Sequence, residues 1–164
     1  MLKKLKNYQI MDLMEGFTRI AQIEFKSNKR FNYSVILNEE ELAPKKKALM
    51  SIAQPSDGYA EYESKRNEII IEYAQMDAEG NMVIKDNQMV VLKDDKKDVA
   101  KKEIEELMKE YEDILEDRTK DIEDYNDILK EEVEVEIHTV SIDDIPDEIG
   151  NNIFLMKLLV PMIG

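Results

Sequence analysis

The chain contains no cysteine, one histidine, and only five glycines and four prolines in 164 residues. Without cysteine, disulfides, thiolate catalysis and cysteine-ligated zinc are excluded, and the chain suits a reducing compartment. With so few glycines and prolines and 43% apolar residues, disorder of the whole chain is not expected, although 37% of residues are charged. Long apolar runs are missing too. The longest, Ile153 to Ile163, spans eleven residues and contains Lys157 and Pro161, where a membrane span needs roughly 20. The start, MLKKLKNYQIMDLMEGF, is basic, yet Asp12 and Glu15 interrupt what would be the apolar region of a signal peptide. No G-x-x-x-x-G-K or G-x-G-x-x-G phosphate loop and no G-x-S-x-G nucleophile elbow occurs.

What is present is acid, unevenly placed. The net charge is −14; residues 1–50 carry a net of +4, whereas residues 103–136 hold sixteen acidic against four basic groups. Phosphate binding needs Lys and Arg to release counterions, so nucleic acid is not the expected ligand, and a basic partner or no charged partner at all is easier to accommodate. Lys3, Lys4, Lys6 and Lys45 to Lys47 form small basic clusters, expected as solvated helix ends.

Hydrophobic spacing predicts the elements. Asn7 reads as an N-cap, and Ile10, Leu13, Met14, Phe17, Ile20 and Ala21 follow at helical steps to about Lys26. Phe31 to Leu37 is aromatic and β-branched and reads as a strand or extended lead-in. Asn38 with Glu41 resembles a capping box opening a helix to Ile52, with Pro44 as a late start or kink. A further helix is predicted from Tyr59 to Gln75, with Tyr62, Arg66, Ile69, Ile70 and Tyr73 inside. A turn follows at Asp77 to Asn81, then a hairpin of Met82–Lys85 and Gln88–Leu92 joined at Asp86-Asn87.

The longest helical signal runs over 95–130, as one helix or as two broken near Asp117 to Thr119. Its narrow stripe among charges resembles a helical hairpin or coiled-coil seam. Strict alternation then places Val133, Val135 and Ile137 on one face of a half-buried strand and Glu132, Glu134, Glu136 and His138 on the other. A loop or single turn surrounds Pro146. Asn151 or Asn152 caps a last helix from Ile153 to about Val160, apolar on nearly all sides. It is expected to pack between the first helix and the inner face of the Val133–Ile137 strand.

The fold class predicted is therefore α+β, mostly helical, with a long charged helix or helical hairpin, a small β-hairpin and a C-terminal strand. It forms one domain over 1–164, from which 95–130 can protrude as an arm.

Few constellations carry chemistry. His138 beside Glu134 and Glu136 suggests a carboxylate-rich metal site, but no second His or Cys exists, and a solvated strand face explains it better. Asp113, Asp117, Asp121 and Asp124 stand on one helical face, where they could mimic a nucleic-acid backbone; a solvated helix needs such groups in any case. Asp77-Ala78-Glu79-Gly80 lacks the spacing of an EF-hand. On the last helix, Phe154 and Leu158 are the residues expected to face a partner or a second copy.

Several segments together point further. They are Lys6-Asn7-Tyr8-Gln9-Ile10, Tyr33-Ser34-Val35-Ile36, Tyr62-Glu63-x-x-Arg66, Asp77-Ala78-Glu79-Gly80-Asn81, and Glu131 to His138 followed by Ser141 to Ile145. In this order they resemble a family of short uncharacterised proteins from tailed bacteriophages and prophages of AT-rich bacteria. The charged stretch Glu103–Lys130 is longer here than in that family. The resemblance implies a phage origin and a place in the virion or the host cytoplasm; it carries over no catalytic residue.

The expected function is that of a phage-encoded interaction or structural protein, a virion or assembly component acting through helical surfaces without catalysis or cofactor. The alternative is an acidic inhibitor of a host defence or nucleic-acid-binding enzyme. The partner expected is a phage or host protein, with a homo-oligomer as one option and neither membrane nor direct nucleic-acid contact. The interaction residues expected are Phe154, Leu158, Asp113, Asp117, Asp121 and Asp124.

Overall fold

A computed structural model describes residues 1–85 and 89–164. Among the described residues the fold is mostly helical α+β, as the spacing predicts. Its elements are strand β1 (Leu2–Lys6), helices α1 (Asn7–Ile20), α2 (Lys29–Ile52) and α3 (Asp57–Glu72), strands β2 (Ile84–Lys85) and β3 (Met89–Val90), helices α4 (Lys97–Glu110) and α5 (Glu112–Lys130), strand β4 (Glu132–Glu136), and helices α6 (Asp147–Gly150) and α7 (Ile153–Leu159). Contacts divide the chain into two compact units, one of Met1–Gln54 with Glu123–Gly164 and one of Pro55–Ile122.

The first unit is built on β1, which pairs antiparallel with β4. The two strands complement each other in charge, with Lys4 opposite Glu134 and Lys6 opposite Glu132, cross-strand pairs of the favourable kind. Lys3 and Lys4 thus belong to a strand and not to a helix end, whereas Lys6 ends the strand and stands at the cap of α1. Val135 and Ile137 turn inward, as their alternation predicts, onto α1, α2 and α7. Leu13, Phe17, Phe31, Leu42, Leu155 and Leu159 fill that core. The last helix is part of this cluster, with α1 packed directly against it. Its cap is Asn152, whose side chain accepts from the Phe154 and Leu155 N–H groups.

Several expectations fail in this unit; α1 ends at Ile20 and not near Lys26. Asn7 is the first residue of α1 and not its cap; it is buried, and its amide donates to the Ile128 carbonyl at 2.8 Å. Phe31 to Leu37 is helix and not strand. Asn28 caps α2 by accepting from the N–H groups of Arg30 and Phe31, and Phe31, Ser34, Asn38 and Leu42 then recur inward every three or four residues. Burial of that face overrides a local preference of well under 1 kcal/mol per residue.

Asn38, expected as a cap, lies inside α2, fully buried. Its oxygen accepts from the His138 N–H at 2.8 Å and its amide donates to the His138 carbonyl at 2.9 Å. Past the end of β4, Ile137 still pairs with Met1, and the main chain at His138 pairs with an asparagine side chain in place of a strand. α2 runs on through Pro44, which sits on the exposed side of the helix.

The second unit contains α3, the β2–β3 pair, α4 and the first part of α5. Ser56 caps α3. The predicted turn is present: the Asp77 carboxylate accepts from the N–H groups of Glu79 and Asn81, both at 2.9 Å, and Gly80 takes φ +84°, where a Cβ would be strained. β2 and β3 pair antiparallel; the Asp86-Asn87 connection and Gln88 lie outside the described residues. The long helical stretch is broken, at Tyr111 and not near Asp117 to Thr119. Tyr111 takes φ −106° and ψ 21° between α4 and α5.

Candidate functional site

Within the second unit, α4 and the start of α5 carry two distinct stripes. The inner one holds Ala100, Ile104, Leu107, Tyr111, Ile114 and Arg118, spaced alternately four and three apart as in a heptad seam. It faces α3. Ala100 and Leu107 are buried, as is Tyr62 of α3. The Tyr62 ring lies 5.7 Å from Tyr111 and 5.9 Å from Tyr59, and the Arg118 guanidinium stands 5.4 Å from the Tyr59 ring. A Cβ on Gly58 would come within 3.0 Å of Ile114, so glycine permits the close approach of α3 to α5.

Tyr111, the residue at the break, is fixed by polar contacts. Its hydroxyl accepts from Lys65 Nζ at 2.6 Å and donates to Glu61 Oε1 at 2.8 Å. Lys65 also pairs with Glu61 at 3.0 Å. The Tyr111 hydroxyl, and Glu61 after it, raise the Lys65 ammonium above its ordinary range, and the same bonds hold the Glu61 carboxyl below its own. Further along, the Tyr73 hydroxyl donates to Glu103 at 2.7 Å, which pushes its ionisation up to about 12.

The outer stripe is Met108, Leu115 and Ile122, each seven residues after the last. Met108 and Ile122 are each 46% exposed, and Leu115 is half-buried. An open cleft of about 460 Å³ follows the first two, bordered by Glu105, Lys109, Glu112 and Glu116. α5, a helix of 19 residues, buries none of them. A helix with an apolar stripe and no buried residue exposes a surface of the kind that proteins use for binding.

The residues named from sequence are scattered. Asp113, Asp117 and Asp121 are exposed on the part of α5 that belongs to the second unit, and Asp124 is exposed on the part that belongs to the first. Asp117 pairs with Lys120 at 3.4 Å. Phe154 is half exposed on α7, with the Arg19 guanidinium 4.6 Å from its ring. Leu158 leans the other way, onto α1, where its Cβ would stand 3.1 Å from a Cβ on Gly16. Among the described residues no three His, Asp or Glu side chains form a group that could hold a metal ion, and no helix is long and apolar enough to cross a membrane.

Sequence reasoning missed the Tyr111–Lys65–Glu61 cluster and the outer stripe. The seven-residue recurrence of Met108, Leu115 and Ile122 was a usable signal, hidden because it overlies the inner seam on the same helices. No protein-family model, curated protein or solved structure matches the chain.

Proposed function

We propose that the protein is a non-catalytic interaction protein that works through helical surfaces and, from the resemblance of its sequence segments, that a bacteriophage encodes it. The observation that carries the reading is α5: 19 residues long, amphipathic in sequence, with no residue buried. A helix of this kind gains little from its own chain and contributes most when a partner covers it. Among the polar groups of the second unit whose ionisation is shifted, Lys65 and Glu61 are bonded to each other and to Tyr111, and Tyr73 is bonded to Glu103. They stabilise helix contacts and do not converge on an open cavity.

Charge mimicry of nucleic acid ranks second, on the Asp113, Asp117, Asp121 and Asp124 ladder. α5 carries eight acidic and three basic residues, a net of −5 over roughly 28 Å of helix. That is one net charge per roughly 6 Å, against about one per 1.7 Å of duplex axis. The helix alone is too dilute a mimic. Mass spectrometry of purified virions, with native mass spectrometry of infected-cell extracts, tests the first reading. The protein is expected in virions or in a stable complex; its absence from virions together with only a free 19.2 kDa chain in the extracts overturns the reading.

A further inference from the structure

We propose that the outer stripe of α4 and α5 docks a basic amphipathic helix of a protein partner, an assignment that rests on the interaction reading and gives its partner a chemistry. Met108, Leu115 and Ile122 repeat at the period with which one helix meets another along its length. From Met108 to Ile122 the stripe is roughly 21 Å long, three layers of such a seam. The inner seam of the same helices already shows this packing against α3, through Leu107, Tyr111 and Ile114. Met108 and Ile122 remain open.

Charge decides the occupant. Between Glu105 and Ile122 the tract holds eight acidic and three basic residues. Lys120 is engaged by Asp117 at 3.4 Å, and Glu105 reaches Lys101 at 3.8 Å. Glu112 and Glu116, on the border of the cleft, form no ion pair among the described residues. A helix with leucine-type residues at seven-residue spacing, flanked by Lys and Arg, fills the stripe and neutralises this border. A second copy of the chain would bring two tracts of the same negative sign together, and a nucleic acid or an anionic membrane would be repelled.

Two labelled three-heptad peptides serve as probes, identical in their leucines and flanked by Lys in one and by Glu in the other. Fluorescence anisotropy with the full chain is expected to show the Lys peptide binding at least about tenfold more tightly, and weakening about tenfold from low to roughly 0.5 M salt. The charge-neutral double variant Met108→Ser, Ile122→Ser should reduce that binding about tenfold without altering the circular-dichroism melt, since both residues are exposed. Equal binding of the two peptides overturns the proposal. So does Lys-peptide binding that survives the double variant, which would be attraction by charge alone. Self-association of the chain that the double variant abolishes also overturns it, in favour of a second copy. If the peptides fail while the chain is still recovered in a stable complex, this occupant falls and the interaction reading stands.

Discussion

The two units of this chain solve the problem of stability differently. The first gathers sixteen buried apolar residues into one cluster. In the second, among the described residues, only Tyr62, Ala74, Ala100 and Leu107 are buried and apolar. The first is thus held chiefly by burial, at roughly 25 cal/mol per Å² of apolar surface removed from water. The second is held by ring contacts, tyrosine hydroxyls and helix capping, each contributing about 1 kcal/mol. The charge follows the same division: the second unit carries a net of −9 in its 68 residues, the first −5 in 96. Where burial is thin and charge is dense, apolar side chains such as Met108 and Ile122 stay open to solvent.

The largest test of this contrast lies in the first unit. Phe31 is fully buried and packs edge-on against Phe25 at 6.1 Å. Phe31→Ala should cost about 3–5 kcal/mol, as large cavities in cores do. Chemical denaturation measures it, and a loss below about 1 kcal/mol would show that the cluster is not what holds the unit.

Asn38→Ala comes next. Its amide satisfies both the N–H and the carbonyl of His138, 100 residues away in sequence. Removing it orphans two main-chain groups at about 1–3 kcal/mol each when buried; His138 is half-buried, so a total of about 2–3 kcal/mol is expected. Asn38→Asp should cost a similar amount, because a carboxylate accepts the N–H bond but cannot donate to the carbonyl. An aspartate variant as stable as the parent would mean that the donated bond contributes nothing.

These residues also show where sequence legibility ends. The α1 period, the alternation in β4, the Asp77 turn and the Asn152 cap are each specified by neighbours within a few positions, and each could be read. Asn38 could not, because its role is set by His138, which only the fold brings near. Phe31 to Leu37 has β-forming residues in a helix because Phe31, Ser34, Asn38 and Leu42 face the core. β1 is illegible for the same kind of reason: a strand of five residues needs β4 to exist. The break at Tyr111 has no glycine or proline to announce it, and the Lys65 and Glu61 that hold its hydroxyl come from α3. At the candidate surface, the charge and the seven-residue recurrence both stand in the sequence, but only the fold shows that the Leu107–Ile114 seam is covered by α3 while Met108 and Ile122 stay open.

In the second unit the sharper test is pH. Tyr73 has its ionisation raised from 10.0 to about 12 by the bond to Glu103. A group whose folded value is raised contributes stability that is full below the unfolded value and is lost as pH rises through the folded one. Tyr73→Phe should therefore melt below the parent at neutral pH, with the gap closing between pH 10 and about 12. A gap that stays constant across this range would remove the hydroxyl as its cause. No comparable high-pH effect is expected from Asn38→Ala, so the two variants separate the two kinds of stabilisation.

The smallest effect expected is at His138, and it isolates main chain from side chain in the first unit. The residue is half-buried and follows β4, and Asn38 grips its N–H and carbonyl. The imidazole has no part in those bonds. Glutamine has a similar reach, keeps a polar end and leaves the main chain unchanged, so His138→Gln should shift stability by no more than about 0.5 kcal/mol, as ordinary surface changes do. Asn38→Ala, which acts on the same two main-chain groups, should cost several times more. Zinc titration of the two proteins by calorimetry adds an independent check. Among the described residues no third ligand stands near His138 to complete a site, so parent and variant should give the same weak heats. A stoichiometric zinc site present in the parent and lost in His138→Gln would overturn that reading. A loss of about 2 kcal/mol in His138→Gln would place the anchoring of this segment in the ring instead of in the asparagine that clasps its main chain.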